Sequence, residues 1–264
     1  MFPEEIEQYR DRLWRREEAL RIKTVEDLEA MVEELGFCLA MTDIRKRMPS
    51  VYIAVCGRRD AHMPRNVQKD EEASAAWVLK DQAIARGRIY YAKLFKGHSM
   101  FISRDLVPVF NSIWGCSRQG EKGILSGNAS AVLALLRKEW EMATADIKKF
   151  AGVENKTMLS KALDELQQRM KVIPSEVVYI PKFTYIWTPS ETRFSEELRT
   201  KIPREEAVYK LARAYLKTFG LTLRGEFSGK FGLSRAEAGR AFHRLVDEGF
   251  AIRIDTGIYR LNNV

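Results

Sequence analysis

Asp81, beside Lys80, is the acid set in a patterned, basic neighbourhood of the chain. A carboxylate in such a place can orient water at an abasic carbon, which is the chemistry of base excision. Charges at i and i+1 on a helix point to different parts of its surface, so the spacing does not make Lys80 and Asp81 a pair. No second catalytic partner is identifiable, and a helix-surface aspartate satisfies the same pattern. A second set of residues suits binding rather than catalysis. Arg235, Arg240, His243 and Arg244 lie on one helix-patterned stretch whose opposite side carries Ala238, Ala241, Phe242, Leu245 and Val246. Arginine can reach guanine edges bidentately or hold phosphate; a soluble basic face accounts for the pattern equally well. Arg253, Arg88, Lys93 and Lys96 sit on two hairpin-like segments, where phosphate attraction works at any sequence. Tyr90 and Tyr91 alternate along one of these hairpins, so one is expected to pack inward and the other to stack on a base or line a pocket.

Metal and disulfide chemistry are not indicated. The chain has three cysteines (Cys38, Cys56, Cys116) and three histidines (His62, His98, His243), all widely spaced, with no paired-ligand spacing. No metal or organic cofactor is therefore expected.

The elements that must position these residues repeat. Residues 204–219 read as a helix with Ala207, Val208, Leu211, Ala212, Tyr215 and Leu216 on one face. A short helix over 223–231 follows. Ser234-Arg235-Ala236-Glu237 is a capping box that opens a third helix, ended by Gly249. Phe250-Ala251-Ile252-Arg253-Ile254 and Gly257-Ile258-Tyr259-Arg260-Leu261 then read as a hairpin. Helix, helix, helix, hairpin is the order of a winged helix-turn-helix, which usually presents its third helix to a DNA major groove. A looser copy occupies the middle of the chain: helices over 129–140, 144–150 and 156–170, then strands at 172–173, 177–180 and 183–187. Its third helix turns out Thr157, Ser160, Lys161, Asp164 and Gln168, a mixture that suits packing or a dimer better than DNA.

The N-terminal half carries a helix over 4–22, a second started by Thr24-Val25-Glu26-Asp27 and stopped by Gly36, a run at 51–56, and a helix from Asp70 to about Ala85. A hairpin (88–94 and 99–102) and a closing helix over 104–114 follow. The expected fold is mainly α with small β-hairpins (α+β), as tandem winged helix-turn-helix domains. The divisions are an N-terminal divergent winged-helix-like domain at 1–114, a linker at 115–126, a middle winged helix at 127–190, a linker at 191–203 and a C-terminal winged helix at 204–264.

With 264 residues, two or three modest domains are possible. The net charge of +8 favours an anionic partner, and its distribution is more informative than its sum. Residues 85–104 hold five basic side chains and no acid; residues 44–69 hold seven against Asp60 alone. A phosphate-attracting surface and solvated loops flanking acidic helices both explain this. No apolar run is long enough to span a membrane, and the acidic start Met1-Phe2-Pro3-Glu4-Glu5 is unlike a signal peptide, so a cytoplasmic location is expected.

Several segments resemble a known family. Leu35-Gly36-Phe37, Met48-Pro49-Ser50-Val51-Tyr52-Ile53-Ala54-Val55-Cys56-Gly57-Arg58, Trp77-Val78-Leu79-Lys80-Asp81, Arg88-Ile89-Tyr90-Tyr91-Ala92-Lys93-Leu94-Phe95-Lys96-Gly97 and Phe101-Ile102-Ser103 are similar to a bacterial winged-helix family. That family is related to the tandem winged-helix DNA glycosylases that unhook interstrand crosslinks. The resemblance covers most of 35–114 and implies fold and nucleic-acid association. Those glycosylases share a Gln-x-Gln or Gln-x-Asp motif at the catalytic cleft. The paired glutamines here, Gln167-Gln168, do not match it, and no β-barrel is expected after Leu261, so the resemblance supplies no catalytic residue. The leading expectation is binding of double-stranded DNA, linked to repair or regulation. A glycosylase-like repair enzyme is one alternative, favoured by a cleft between modules that holds a carboxylate and an aromatic wedge. A protein-interaction scaffold, including a homodimer, is the other.

Overall fold

One sequence of elements occurs three times: a helix, a very short strand, two more helices and a hairpin. The computed structural model describes residues 3–264. A leading helix α1 (Glu4–Leu13) precedes the first unit, which comprises α2 (Val25–Leu35), β1 (Phe37–Leu39), α3 (Val51–Cys56), α4 (Glu71–Arg86), β2 (Tyr90–Phe95) and β3 (His98–Ile102). Helices α5 (Val107–Trp114) and α6 (Glu121–Ile124) lead to the second: α7 (Gly127–Glu139), β4 (Met142–Ala143), α8 (Thr144–Phe150), α9 (Lys156–Gln168), β5 (Val172–Val178) and β6 (Thr184–Pro189). After α10 (Ser195–Arg199) comes the third: α11 (Arg204–Phe219), β7 (Leu221–Thr222), α12 (Glu226–Phe231), α13 (Arg235–Asp247), β8 (Ala251–Asp255) and β9 (Ile258–Leu261). Each unit closes a three-stranded antiparallel sheet in which the short strand pairs with the last, giving the orders β1-β3-β2, β4-β6-β5 and β7-β9-β8. This is the winged-helix arrangement, in an α+β chain of tandem modules.

Side-chain caps start six of the thirteen described α-helices. Thr24 and Asp27 form a reciprocal capping box on α2, and Ser234 and Glu237 form another on α13. Ser50 caps α3 and Asp70 caps α4. Gly36 ends α2 at φ 84°, a conformation that residues with a side chain rarely adopt, and a Cβ there would also displace Leu106 Cδ1, 2.6 Å away.

Two expectations are corrected and three short strands are added. The first helix ends at Leu13 rather than running to 22: Trp14, its C-cap, still donates its backbone N–H to the Arg10 carbonyl at 2.7 Å while its ring buries against α11. Its indole Nε1 donates to the Thr218 carbonyl at 2.8 Å, and its ring meets Phe219 edge-on at 5.3 Å. Arg15 then turns at φ 57°. The short strands β1, β4 and β7 were not legible, since two or three residues are too few to show alternation. Tyr90 and Tyr91 are both buried. Their hairpin is covered on both faces: Tyr90 bonds the Ser190 hydroxyl at 3.0 Å and meets Phe194, while Tyr91 meets Phe101 and faces the middle unit.

The three units are not beads on a string. The wing strand β5 of the middle unit packs on α4, and reciprocally the wing strand β2 of the first unit packs on α9. The first and third units share one continuous core: α5 lies along α11, and Phe231 of α12 reaches Phe37, Phe95 and Phe110 at ring distances of 5.6, 6.2 and 6.4 Å. Most of the middle unit's apolar residues, among them Val132, Leu136, Leu163 and Leu166, form a separate cluster. Among the described residues no helix is long and apolar enough to cross a membrane.

Candidate nucleic-acid interface and aromatic cleft

The exchanged wings bring aromatic rings, a buried lysine and carboxylates together. Phe183, Tyr185 and Trp187 share one face of β6 and its approach, because side chains two apart on a strand point the same way. With Tyr179 they form a ladder of rings, Tyr179 to Phe183 at 5.5 Å, Phe183 to Tyr185 at 5.3 Å and Tyr185 to Trp187 at 5.6 Å. Trp77 of α4 flanks Phe183 at 6.2 Å and donates its indole N–H to the Tyr179 hydroxyl at 2.9 Å.

Asp81 stands at the root of this wing. It accepts a hydrogen bond from the Tyr179 hydroxyl, and its Oδ1 lies 2.7 Å from Lys80 Nζ. Lys80 is only 2% exposed; it also donates to the Tyr185 hydroxyl at 3.1 Å and sits 4.0 Å from the Trp77 ring centroid. Lys80 and Asp81 are therefore a pair, contrary to the expectation from their spacing, because the long lysine stem bends toward the carboxylate once α4 is covered by the wing. Burial, and then the Asp81 carboxylate beside it, raise the Tyr179 hydroxyl to about 12, so it stays a donor at neutral pH. With its oxygens held by an ammonium and a phenol, Asp81 ties the wing to α4.

A cavity of about 330 Å³ lies next to this cluster, between the two wings and α9. Tyr91, Phe183, Tyr185 and Trp187 supply aromatic walls, and Lys93, Ser160, Asp164 and Gln167 supply polar ones. Asp164 Oδ1 accepts from Lys93 Nζ at 2.8 Å. Gln167 Oε1 accepts the Lys93 backbone N–H at 3.1 Å, and its amide nitrogen is turned to the Leu163 carbonyl at 3.3 Å. Gln167 thus ties α9 to β2.

The basic residues singled out in the sequence fall into different environments. Arg244 is held by Glu206 at 2.6 Å and Glu248 at 3.0 Å and lies over the Tyr209 ring at 3.7 Å. Arg240 is 3.9 Å from Glu205. Both turn back toward α11. Arg235 and His243 are exposed, and His243 meets Tyr259 at 6.2 Å. Arg253 is exposed and bonds its own turn at Asp255 and Thr256. Arg88 is 3.5 Å from Glu29, Lys93 is taken by Asp164, and Lys96 is exposed without a carboxylate within 4.0 Å among the described residues. The structure brings Lys93 and Asp81 to the same inter-module region and leaves the others apart.

Of the open lysines of the middle unit, sequence reasoning named Lys161 and passed over the others. Lys148, Lys149, Lys156, Lys161 and Lys182 of the middle unit are exposed, and none is paired with a carboxylate among the described residues. Between Tyr179 and Phe183 the tip of the same wing carries Ile180, 85% exposed. The alternation of aromatics at 183, 185 and 187 was the available signal, although alternation alone does not say which face is covered.

Fold and site together define a protein of three winged-helix modules in which two modules clasp each other's wings around an aromatic cleft. The chain belongs to the AlkZ-related family, whose model matches residues 22–219. Its fold is similar to that of the Streptomyces sahachiroi DNA glycosylase AlkZ, with a TM-score of 0.61 at 12% identity, over 97% of this chain and 70% of that one. No curated protein matches it in sequence.

Proposed function

We propose that the protein binds double-stranded DNA through its middle module, in a glycosylase-like architecture suited to handling damaged or distorted duplex. The observation that carries this reading is the set of five exposed middle-module lysines without carboxylate partners among the described residues, in a module whose wing tip is apolar and protrudes. Lysines of this kind attract phosphate without regard to sequence. An apolar side chain such as Ile180 can enter between base steps and unstack them. Arg244, by contrast, would have to give up Glu206 and Glu248 to reach DNA. Family membership and the fold of AlkZ support the same partner.

The test is a fluorescence-anisotropy titration of arbitrary duplex at increasing salt. Binding should fall steeply between about 50 and 200 mM salt, through counterion release. Lys156→Glu with Lys161→Glu should reduce affinity by at least about tenfold and flatten the salt slope. Arg240→Ala and Arg244→Ala should change affinity by less than about threefold if the middle module carries the interface, Arg244 being already held by two acids. No binding at low salt, or arginine variants that bind worse than the lysine variants, would overturn the reading.

A second reading, base excision, is favoured by the Asp164 carboxylate in the cleft wall. It predicts base release from alkylated duplex that is lost in Asp164→Asn. The pairing of Asp164 with Lys93 argues against it, and release at the spontaneous level is the expected outcome.

A further inference from the structure

We propose that a second cavity, between α1, the loop after β1 and the start of the third module, binds the phosphate group of a phosphate monoester. It shares no lining residue with the cleft between the wings, and the proposal does not rest on the duplex-binding reading.

The cavity measures about 350 Å³, and its walls carry the guanidinium groups of Arg10, Arg16, Arg47 and Arg59 against the single carboxylate of Glu7. Arg10 and Arg16 are 3% and 5% exposed. Both are fixed in place: Arg10 donates to the Phe219 carbonyl at 2.9 Å and to Glu7 at 3.2 Å, and Arg16 donates to Glu7 at 2.7 Å. Arg59 lies 2.7 Å from Glu4 and 2.5 Å from Asp11. These carboxylates orient the arginines without exhausting them, because a guanidinium has five N–H donors. Arg16 Nη1 makes no hydrogen bond among the described residues. The four arginines outnumber Glu4, Glu7 and Asp11, and the surplus charge falls on Arg47, which is exposed with no carboxylate within 4.0 Å among the described residues. Arg47 also holds a left-handed backbone, φ 50°, costly for a residue with a side chain, and Lys230 of α12 bonds its carbonyl at 3.2 Å. An unpaired guanidinium kept in such a conformation beside a cavity is placed for a ligand. The planar guanidinium fork matches phosphate oxygens two at a time. A monoester presents three terminal oxygens and only one organic substituent, so it can reach buried arginines end-on. A backbone diester presents two and carries a sugar on each side. Ile44, Leu223 and Trp14 supply an apolar wall for the organic part of the ester. Because the walls come from the first and third modules, which share a core, the site is preorganised.

The experiment titrates the full-length protein with inorganic phosphate at constant ionic strength, followed by ³¹P NMR. The Kd should be about 1 mM or tighter, as a few charge-assisted hydrogen bonds would give. Arg47→Gln should weaken binding by at least about tenfold, and Leu223→Glu, which sets a carboxylate on the cavity wall, should do the same. Both positions are exposed, so the fold should survive, to be checked by circular dichroism. Arg118→Gln removes an exposed arginine outside the cavity and should leave the Kd within about twofold. Competition then separates the sources of the phosphate. Displacement by a 5′-phosphorylated trinucleotide at least about tenfold better than by glycerol phosphate supports the site with a nucleic-acid end as ligand, and the reverse order supports it with a small metabolite. A 5′-hydroxyl trinucleotide that competes as well as the phosphorylated one overturns the preference for a monoester. No phosphate binding by the wild type, or equal losses in Arg47→Gln and Arg118→Gln, overturns the site and leaves duplex binding standing.

Discussion

Lys80 shows how burial turns an ordinary pair of neighbours into a structural joint. A lysine 2% exposed must be matched by acceptors, and Asp81, Tyr185 and the Trp77 face supply them. Removing one partner of a buried ion pair leaves the other charge uncompensated, which commonly costs more than the pair itself contributes. Asp81→Asn should therefore destabilise the protein by about 3 kcal/mol, measured by urea denaturation. Lys80→Met combined with Asp81→Asn should recover part of that loss, because no buried ammonium remains. A loss under about 0.5 kcal/mol in the single variant would place Asp81 back among surface carboxylates, with an effect typical of exposed sites. The sequence could show that these two side chains were adjacent; it could not show that a wing from residues a hundred positions away would close over them.

Helices were legible wherever their own residues set them: the capping boxes at Thr24 and Ser234 and the caps at Ser50 and Asp70 lie at the expected starts. Elements fixed by distant partners were not. The strand β1 exists because β3 lies beside it, and the stop after Leu13 coincides with the burial of Trp14 against α11. The candidate site followed the same division: the two hairpins and the third helices could be read locally, but which wing covers which helix is a property of packing between modules. The glycine-rich stretch around α6 is another case. It has the composition of a free connection, yet Glu121 receives Arg137 at 2.7 Å and Lys171 at 2.8 Å, pinning α6 to the middle module. Burial alone would raise this carboxyl, but the hydrogen bonds from Arg137 and Lys171 outweigh it and hold it at about 2. A carboxyl depressed on folding stabilises above its unfolded value, near 4.5, and the contribution is lost as pH falls from there toward 2. Glu121→Gln should thus cost about 1 kcal/mol at pH 7 and nothing near pH 2, so wild type and variant stability curves should converge on acidification. Parallel curves across that range would show that the contact is without weight.

At the scale of the whole molecule the chain returns on itself. Helix α1 docks on the third module, where Arg10 donates to the Phe219 carbonyl at 2.9 Å and Trp14 to that of Thr218, and α5 lies along α11. The first and third modules thereby share a core, while the middle module keeps most of its apolar contacts to itself and meets the first chiefly through exchanged wings. Such a division sets which parts open together. A large ring removed from the shared core should loosen both modules that use it, although they are nearly two hundred residues apart in the chain. Trp14→Ala should cost about 3–4 kcal/mol, the usual toll of deleting a buried aromatic that also loses a hydrogen bond. Native-state hydrogen exchange locates the effect: amides of α2, α5 and α11 should lose protection together, while those of α7 and α9 stay near their wild-type values. Equal loss in α7 and α9 would mean that the wing exchange couples all three modules into one cooperative unit, and loss confined to α1 and α11 would mean that the shared core is divisible.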